Sequence, residues 1–334
     1  MALQNTKVIL KETPTGMPVA DQFKVTQADI PALKNGEVLV KNQWLSLDPY
    51  MRSQISARHL SGAVLPGDTM KGETIAEVVE SASEDFKPGD TVRCFGGWQS
   101  HAVLPANALT QVANNIEHTP HLLSILGMPG LTAYAGLIWQ AKPQPGETVV
   151  VAAATGAVGS MIVQLAKQQG CRVVGIAGGK HKCDFALNEL GADICIDRHT
   201  EDLGPALDKH CPNGINIYFD LIGGDILEQC SQRLAVNARI ILCGLAADYN
   251  RTSSSPPPGP SPVYFIKSRA TVFGLVVYDF EARRQEFIQA CLPSVNSGAI
   301  KIKEQVVDGL ARAPQGFVDL LSGDNFGKVL VKIN

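Results

Sequence analysis

Residues 149–160, VVVAAATGAVGS, constrain this chain more than any other stretch. An apolar run of strand length breaks into small residues. Val158, Met161, Ile162, Leu165 and Ala166 then recur at helical spacing, and Gly170 stops the pattern. A buried strand, a glycine turn and a helix in succession let another group approach the backbone. At that junction the unpaired helix N–H groups and the positive end of the dipole favour a phosphate. The spacing is Ala153-x-x-Gly156-x-x-Gly159, with Ala154 where the usual fingerprint begins on glycine. With strand, turn and helix all in place, the stretch predicts dinucleotide binding.

The next strand-to-helix junction selects the dinucleotide. NAD sites usually place an acid there for the ribose hydroxyls. Here no acid occurs between Glu147 and Asp184, and the junction reads GGKHKC, residues 178–183. Lys180 and Lys182 can meet a 2′-phosphate, and Gly178 and Gly179 leave it room. The cofactor expected is NADP(H).

The surrounding texture fits a doubly wound parallel sheet. Strands are predicted at 148–154, 172–178, 193–197, 215–223, 238–244 and 271–277, with a helix over 182–191. Residues 1–120 instead alternate short β-like runs (36–47, 74–81, 90–96) with turns such as KPGD, the pattern of a mainly β, barrel-like domain. The last segment, with KIKEQVV at 301–307 and GKVLVKIN at 327–334, repeats that style. The expected division is therefore 1–124 with 301–334, and 125–300. RTSSSPPPGPSP, residues 251–262, is expected to be a loop that joins neither helix nor central strand, and it follows a strand end where a lid could form.

Composition narrows the function. The 334 residues are 45% hydrophobic and 18% charged with a net charge of −3, which suits a soluble globular protein and offers nucleic acid no basic patch. No run approaches a membrane span, and no apolar leader core opens the chain, so a cytoplasmic protein is expected. Cys94, Cys171, Cys183, Cys195, Cys211, Cys230, Cys243 and Cys291 form no CxxC pair and read as free, mostly buried thiols. No set of zinc ligands is evident. Cys94 is the one cysteine of the β domain. His118 and His121 flank Pro120, where helical facing is not expected, and His59 and His101 are isolated. All four histidines read as surface residues, and the chemistry is expected to run without a metal.

SLDPYMR (46–52), GMPGLTAYAGL (127–137), AATGAVGS (153–160), GGKHKC (178–183), YFDLIGG (218–224), CGLAADYN (243–250) and GDNFGKVLVK (323–332) fall in the order of one family. Over essentially its whole length the chain resembles the zinc-independent medium-chain dehydrogenase/reductases of the prostaglandin reductase, curcumin reductase and alkenal double-bond reductase type. The resemblance implies a GroES-like domain, a Rossmann domain and a cleft between them. It implies NADPH-dependent reduction of the carbon–carbon double bond of enones and enals, often by a homodimer. Carried over by motif, Thr155, Gly156, Ala157 and Val158, with Gly159 behind them, would hold the pyrophosphate. Gly178 and Lys182 would face the 2′-phosphate. Cys243, Gly244, Tyr249, Leu275, Val276 and Val277 would line the nicotinamide side, and Asn325 would reach the cofactor from the returning segment. Leu221 replaces the family asparagine and removes one cofactor hydrogen bond. Arg198 replaces a tyrosine, and its guanidinium suits a 2′-phosphate better. The proline-rich stretch is longer than in the family.

Hydride arriving at the β-carbon of an enone pushes charge onto the carbonyl oxygen, so a donor must meet it there. A phenol is a donor at neutral pH. Tyr249 is the first candidate and Tyr50 the second. Tyr278 is third and reads better as a packed aromatic, and Arg52 as a structural or cofactor contact. Quinone reduction with the same hydride donor, and non-catalytic NADPH sensing, are the competing readings.

Overall fold

The computed structural model describes residues 4–113, 115–253 and 259–333. The proline-rich stretch therefore lies partly outside the described residues. Along the chain, the first stretch holds β1 (Gln4–Leu10), β2 (Phe23–Asp29), β3 (Glu37–Leu47), α1 (Met51–Gln54), β4 (Thr74–Ser81), β5 (Thr91–Cys94), β6 (His101–Pro105) and β7 (Thr110–Gln111). The middle holds α2 (Met128–Tyr134), β8 (Thr148–Ala152), α3 (Ala157–Gln168), β9 (Arg172–Ala177), α4 (Lys180–Asn188), β10 (Ile194–Asp197), α5 (Leu203–His210), β11 (Ile215–Asp220), α6 (Gly224–Ser231), β12 (Leu234–Leu242), α7 (Pro262–Ser268), β13 (Thr271–Gly274) and α8 (Arg284–Asn296). The end holds β14 (Glu304–Asp308), α9 (Ala313–Ser322) and β15 (Lys328–Lys332).

Two compact units result. One runs up to Ser124 and resumes at Glu304; the other spans Ile125–Lys303. The return falls at Glu304 rather than 301 for a visible reason. The Gln164 side chain holds the backbone of Lys301 through two hydrogen bonds of 2.7 Å, and Lys301 Nζ pairs with Glu189 at 2.8 Å. Both partners belong to the middle unit.

In the middle unit six parallel strands run in the order β10-β9-β8-β11-β12-β13. The order reverses between β8 and β11, and ligands of such sheets bind beyond the carboxyl ends there. Val149, Val150, Val151 and Ala152 are fully buried, as a strand covered by helices on both faces must be. α3 is buried on nearly every side. It ends at Gln168, and Gly170 turns the chain with φ +74°, a conformation that suits glycine.

In the other unit β3 is central. It pairs antiparallel with β4, β6 and β15, and β14 extends the sheet beyond β15. The segment from Glu304 therefore supplies two strands to a sheet whose central strand begins far earlier in the chain, at Glu37. α9 seals the core: Phe317 meets Trp98 edge-on at 5.7 Å, and Trp98 stacks on Phe23 at 6.0 Å.

Two details depart from the sequence reading. Pro262 does join a helix, as the first residue of α7, where its missing N–H costs nothing. The strands predicted at 215–223 and 271–277 stop at Asp220 and Gly274. Asp220 turns its carboxylate back on the next amides, and the chain leaves the sheet after Gly274. No described helix is long and apolar enough to cross a membrane.

Candidate active site

The turn between β8 and α3 is a close-packed cradle. Gly156 precedes α3 in an extended conformation, so the N–H groups of Ala157, Val158 and Gly159 open the helix without intrahelical acceptors. A Cβ on Gly159 would lie 2.2 Å from the carbonyl oxygen of Ala153, which fixes glycine there. Thr155 is buried beside it. Ala154 fits where the fingerprint has glycine because the neighbouring strand yields the space. A Cβ on Gly175 of β9 would lie 2.8 Å from the Ala154 methyl. The backbone strain has moved one residue back, to Ala153 at φ +50°.

The second junction is built around Asp197, which sequence reasoning missed. Its carboxylate accepts the N–H groups of Gly179, at 2.8 Å, and His199, at 3.0 Å. These amides, His199 first, hold its carboxyl below the usual range. The turn after β9 is thereby tied to the turn after β10. Gly178 lies against the side chains they carry: a Cβ there would stand 2.9 Å from the His199 ring and 3.2 Å from Arg198 Nε. Arg198 is exposed, and Lys182 is half-buried in the first turn of α4, its N–H on the Gly179 carbonyl. Lys180 points to Asp184, 2.7 Å away, in a largely solvated pair. Gly178 and Arg198 thus lie side by side, Lys182 stands in the first turn of the helix that follows, and the Asp197 carboxylate is already taken by amides. The residues present fit a 2′-phosphorylated dinucleotide.

A second buried acid organises the loops after β11 and β12. Asp220 Oδ1 accepts Tyr218 Oη at 2.8 Å and the N–H groups of Gly223 and Ile222 at 2.9 and 3.1 Å. Burial outweighs these donors and pushes its carboxyl up. Its main-chain carbonyl accepts from Cys243 and Gly244. The Gly244 Cα is so close to Leu221 that a Cβ would lie 2.9 Å from the Leu221 carbonyl. Tyr249 sits in this laced loop, half-buried. Burial raises its phenol, partly offset by a hydrogen bond from the Leu245 backbone. Burial, and secondarily Asp220, raises the Cys243 thiol to about 12, so it is not a nucleophile at neutral pH. Leu275 is buried with its N–H on the Leu242 carbonyl, and Val276 and Val277 follow, half-buried.

In the other unit Tyr50 stacks on His59 with ring centroids 4.8 Å apart. Arg52 is buried, and its guanidinium donates to the Gly16 carbonyl at 2.7 Å and to Ser56, a structural clamp on residues 14–16. Asn325 Nδ2 donates to the Gly327 carbonyl at 2.8 Å, leaving its oxygen to face other groups.

Two histidine readings need correction. His101 is buried, bonded to Ser100. Tyr278 is 39% exposed in a helical turn. His118 and His121 do face one another, with ring centroids 4.5 Å apart. His121 lies in a 3₁₀ turn, Thr119–Leu123, and His118 caps it, its carbonyl accepting the His121 N–H at 3.0 Å, so that residues three apart come together. Pro120 disfavours an α-helix continuing through it but not this tighter turn.

Known proteins match the chain end to end. A family described as "N-terminal domain of oxidoreductase" matches residues 6–112, and one described as "Zinc-binding dehydrogenase" matches residues 157–293. The NADPH-dependent curcumin reductase of Escherichia coli (strain K12) is 39% identical over 99% of this chain and 97% of its own. Prostaglandin reductase 1 of Rattus norvegicus is 38% identical over 97% of each. The crystal structure of CurA in complex with NADPH from Vibrio vulnificus superposes with a TM-score of 0.93 at 39% identity, covering 98% of this chain and 99% of that one. With identity of this level across both domains, the chain belongs to the medium-chain dehydrogenase/reductase family, in the branch of the prostaglandin, curcumin and alkenal double-bond reductases.

Proposed function

We propose that this protein is an NADPH-dependent reductase of the carbon–carbon double bond in α,β-unsaturated ketones and aldehydes. The observation that carries the reading is the pair of turns just described. One offers helix N–H groups at a glycine that admits no Cβ; the other sets Arg198 beside Gly178 and Lys182 in the first turn of the helix that follows, with Asp197 already occupied by amides. The full-length likeness to an NADPH-dependent curcumin reductase supports the same cofactor and substrate class.

When bound, NADPH supplies the hydride that reaches the β-carbon. Thr155, Gly156, Ala157, Val158 and Gly159 bind the pyrophosphate through the α3 terminus. Lys182 and Arg198 neutralise the 2′-phosphate, and Gly178 leaves it room. Cys243, Gly244, Leu275, Val276 and Val277 form an apolar wall that excludes water from the nicotinamide, and Asn325 contributes an amide oxygen. Tyr249 donates its phenolic proton in a hydrogen bond to the carbonyl oxygen as charge develops there. Its raised pKa keeps that proton in place at neutral pH. Tyr50 is the second donor. No metal polarises the carbonyl in this reading, and the protein acts as a cytoplasmic homodimer on a small-molecule enone or enal.

The test is NADPH oxidation followed by absorbance with a simple alkenone and, in parallel, a quinone. Turnover of the alkenone, with the saturated ketone as product, is expected. Oxidation with the quinone alone would replace this reading with quinone reduction. NADPH binding without oxidation by either would make the protein a sensor.

A further inference from the structure

The His118–His121 pair has a third neighbour that no part of the proposed reaction uses. Glu304, first residue of β14, points its carboxylate at both rings. Its Oε2 lies 3.0 Å from His118 Nε2, and its Oε1 lies 4.0 Å from His121 Nε2. Ser124, fully buried, donates its hydroxyl to Oε1 and orients the carboxylate from behind. One ligand atom from each of His118, His121 and Glu304 lies within 4.8 Å of the others, and this is the one such group of histidine, cysteine and acid side chains among the described residues.

We propose that His118, His121 and Glu304 form a binding site for a borderline divalent cation of the zinc type, remote in function from hydride transfer. Two imidazole nitrogens and one carboxylate oxygen are a recurrent donor set for such ions. With ligands at about 2.0–2.2 Å in a tetrahedron, the donor atoms stand about 3.3 Å apart. The His118–Glu304 spacing is already below that. The widest spacing, at most 4.8 Å, must close by up to about 1.5 Å, and the His118 side chain, 51% exposed, has room to turn. Its exposure also leaves a fourth position open to water. Ser124 is the outer partner that ligating carboxylates commonly have.

The position gives the site a consequence. His118 to Ser124 is the last segment before the chain enters the middle unit at Ile125, and Glu304 is the first residue after it leaves. An ion held by all three side chains joins the outgoing and returning segments, which are 186 residues apart along the chain at His118 and Glu304. Such a clip resists separation of β14 from the 3₁₀ turn, and because the three ligands come together only in the folded chain, binding stabilises that state by mass action.

The test uses the full-length protein stripped with chelator. Calorimetric titration with zinc is expected to show one equivalent bound, and a thermal melt is expected to rise with zinc concentration. The variants His118→Asn and Glu304→Gln are expected to lose more than about 10-fold in zinc affinity and to lose the thermal shift, while their NADPH binding shows them to be folded. Cobalt in place of zinc is expected to give a spectrum of nitrogen and oxygen ligation. Absence of binding to the wild type, undiminished binding by either variant, or a sulfur-to-cobalt charge-transfer band would each overturn the proposal. Stoichiometry and spectrum do not depend on enone turnover, so the outcome is independent of the proposed reaction.

Discussion

Lys328 Nζ lies 2.6 Å from Asp48 Oδ1, and 280 residues separate the two. The ammonium also donates to Ser46 Oγ at 2.6 Å and to the Leu47 carbonyl at 2.8 Å, so all three of its protons are used. The pair is buried, with 1% and 6% of the side chains exposed. Asp48 leads directly into Pro49, Tyr50 and α1. The returning strand β15 thereby holds the segment that carries a proposed catalytic tyrosine.

Removing one member of a buried, hydrogen-bonded ion pair strands the other in an apolar surrounding. Lys328→Met should lower stability by about 3–5 kcal/mol, read as a lower urea midpoint with an unchanged slope. The double variant Lys328→Met/Asp48→Leu should recover much of that loss. A single variant as stable as the wild type would show the pair to be energetically idle.

Tyr249→Phe removes one donor while keeping the ring. Turnover of an alkenone should fall by about 100-fold, the usual effect of losing one oxyanion donor, with NADPH affinity nearly unchanged. The donor is the protonated phenol, and burial raises its pKa above the ordinary value. The active form is therefore present at low and neutral pH and lost as pH rises through that raised value. In the wild type kcat should stay level through neutral and mildly alkaline pH and decline only above the ordinary range of a phenol. Unchanged turnover in the variant removes Tyr249 from the reaction and leaves Tyr50 to be tested.

Lys182→Ala and Arg198→Ala should each weaken NADPH and leave NADH nearly unaffected, because only NADPH carries the 2′-phosphate. Direct binding by fluorescence titration separates the two cofactors. An equal loss for both would place the side chain elsewhere on the dinucleotide.

Gly159→Ala puts a methyl 2.2 Å from the Ala153 carbonyl oxygen, so backbone must move. Gly156→Ala meets the same atom at 3.3 Å, a far milder contact. The first variant should lose at least about 2 kcal/mol of stability and most NADPH binding; the second should retain its fold. Equal behaviour of the two would mean that α3 shifts freely on the sheet.

The middle unit was readable because its signals are local. β8, β9 and α3 declare themselves through runs of Val and Ile and through helical spacing, each complete within a dozen or so residues. The turn from Ala153 to Gly159 was readable for the same reason. Strand ends were less so: β11 stops at Asp220 because its carboxylate takes the amides of Ile222 and Gly223, a choice that the apolar residues after it conceal. His118 and His121 were misread because Pro120 argues against an α-helix and says nothing about a 3₁₀ turn.

The sequence by itself determined the parallel nucleotide-binding sheet, the β character of the first segment, the family and the absence of an acid after β9. Periodicity and turn chemistry act between near neighbours, and a single strand of text records them fully. Only the tertiary structure decided that Lys328 meets Asp48, that Gly175 makes room for Ala154, and that Glu304 joins His118 and His121. Those contacts depend on how β15 and β14 dock against a sheet completed long before them, and the free energy of that docking is spread over a whole core rather than written at any one position.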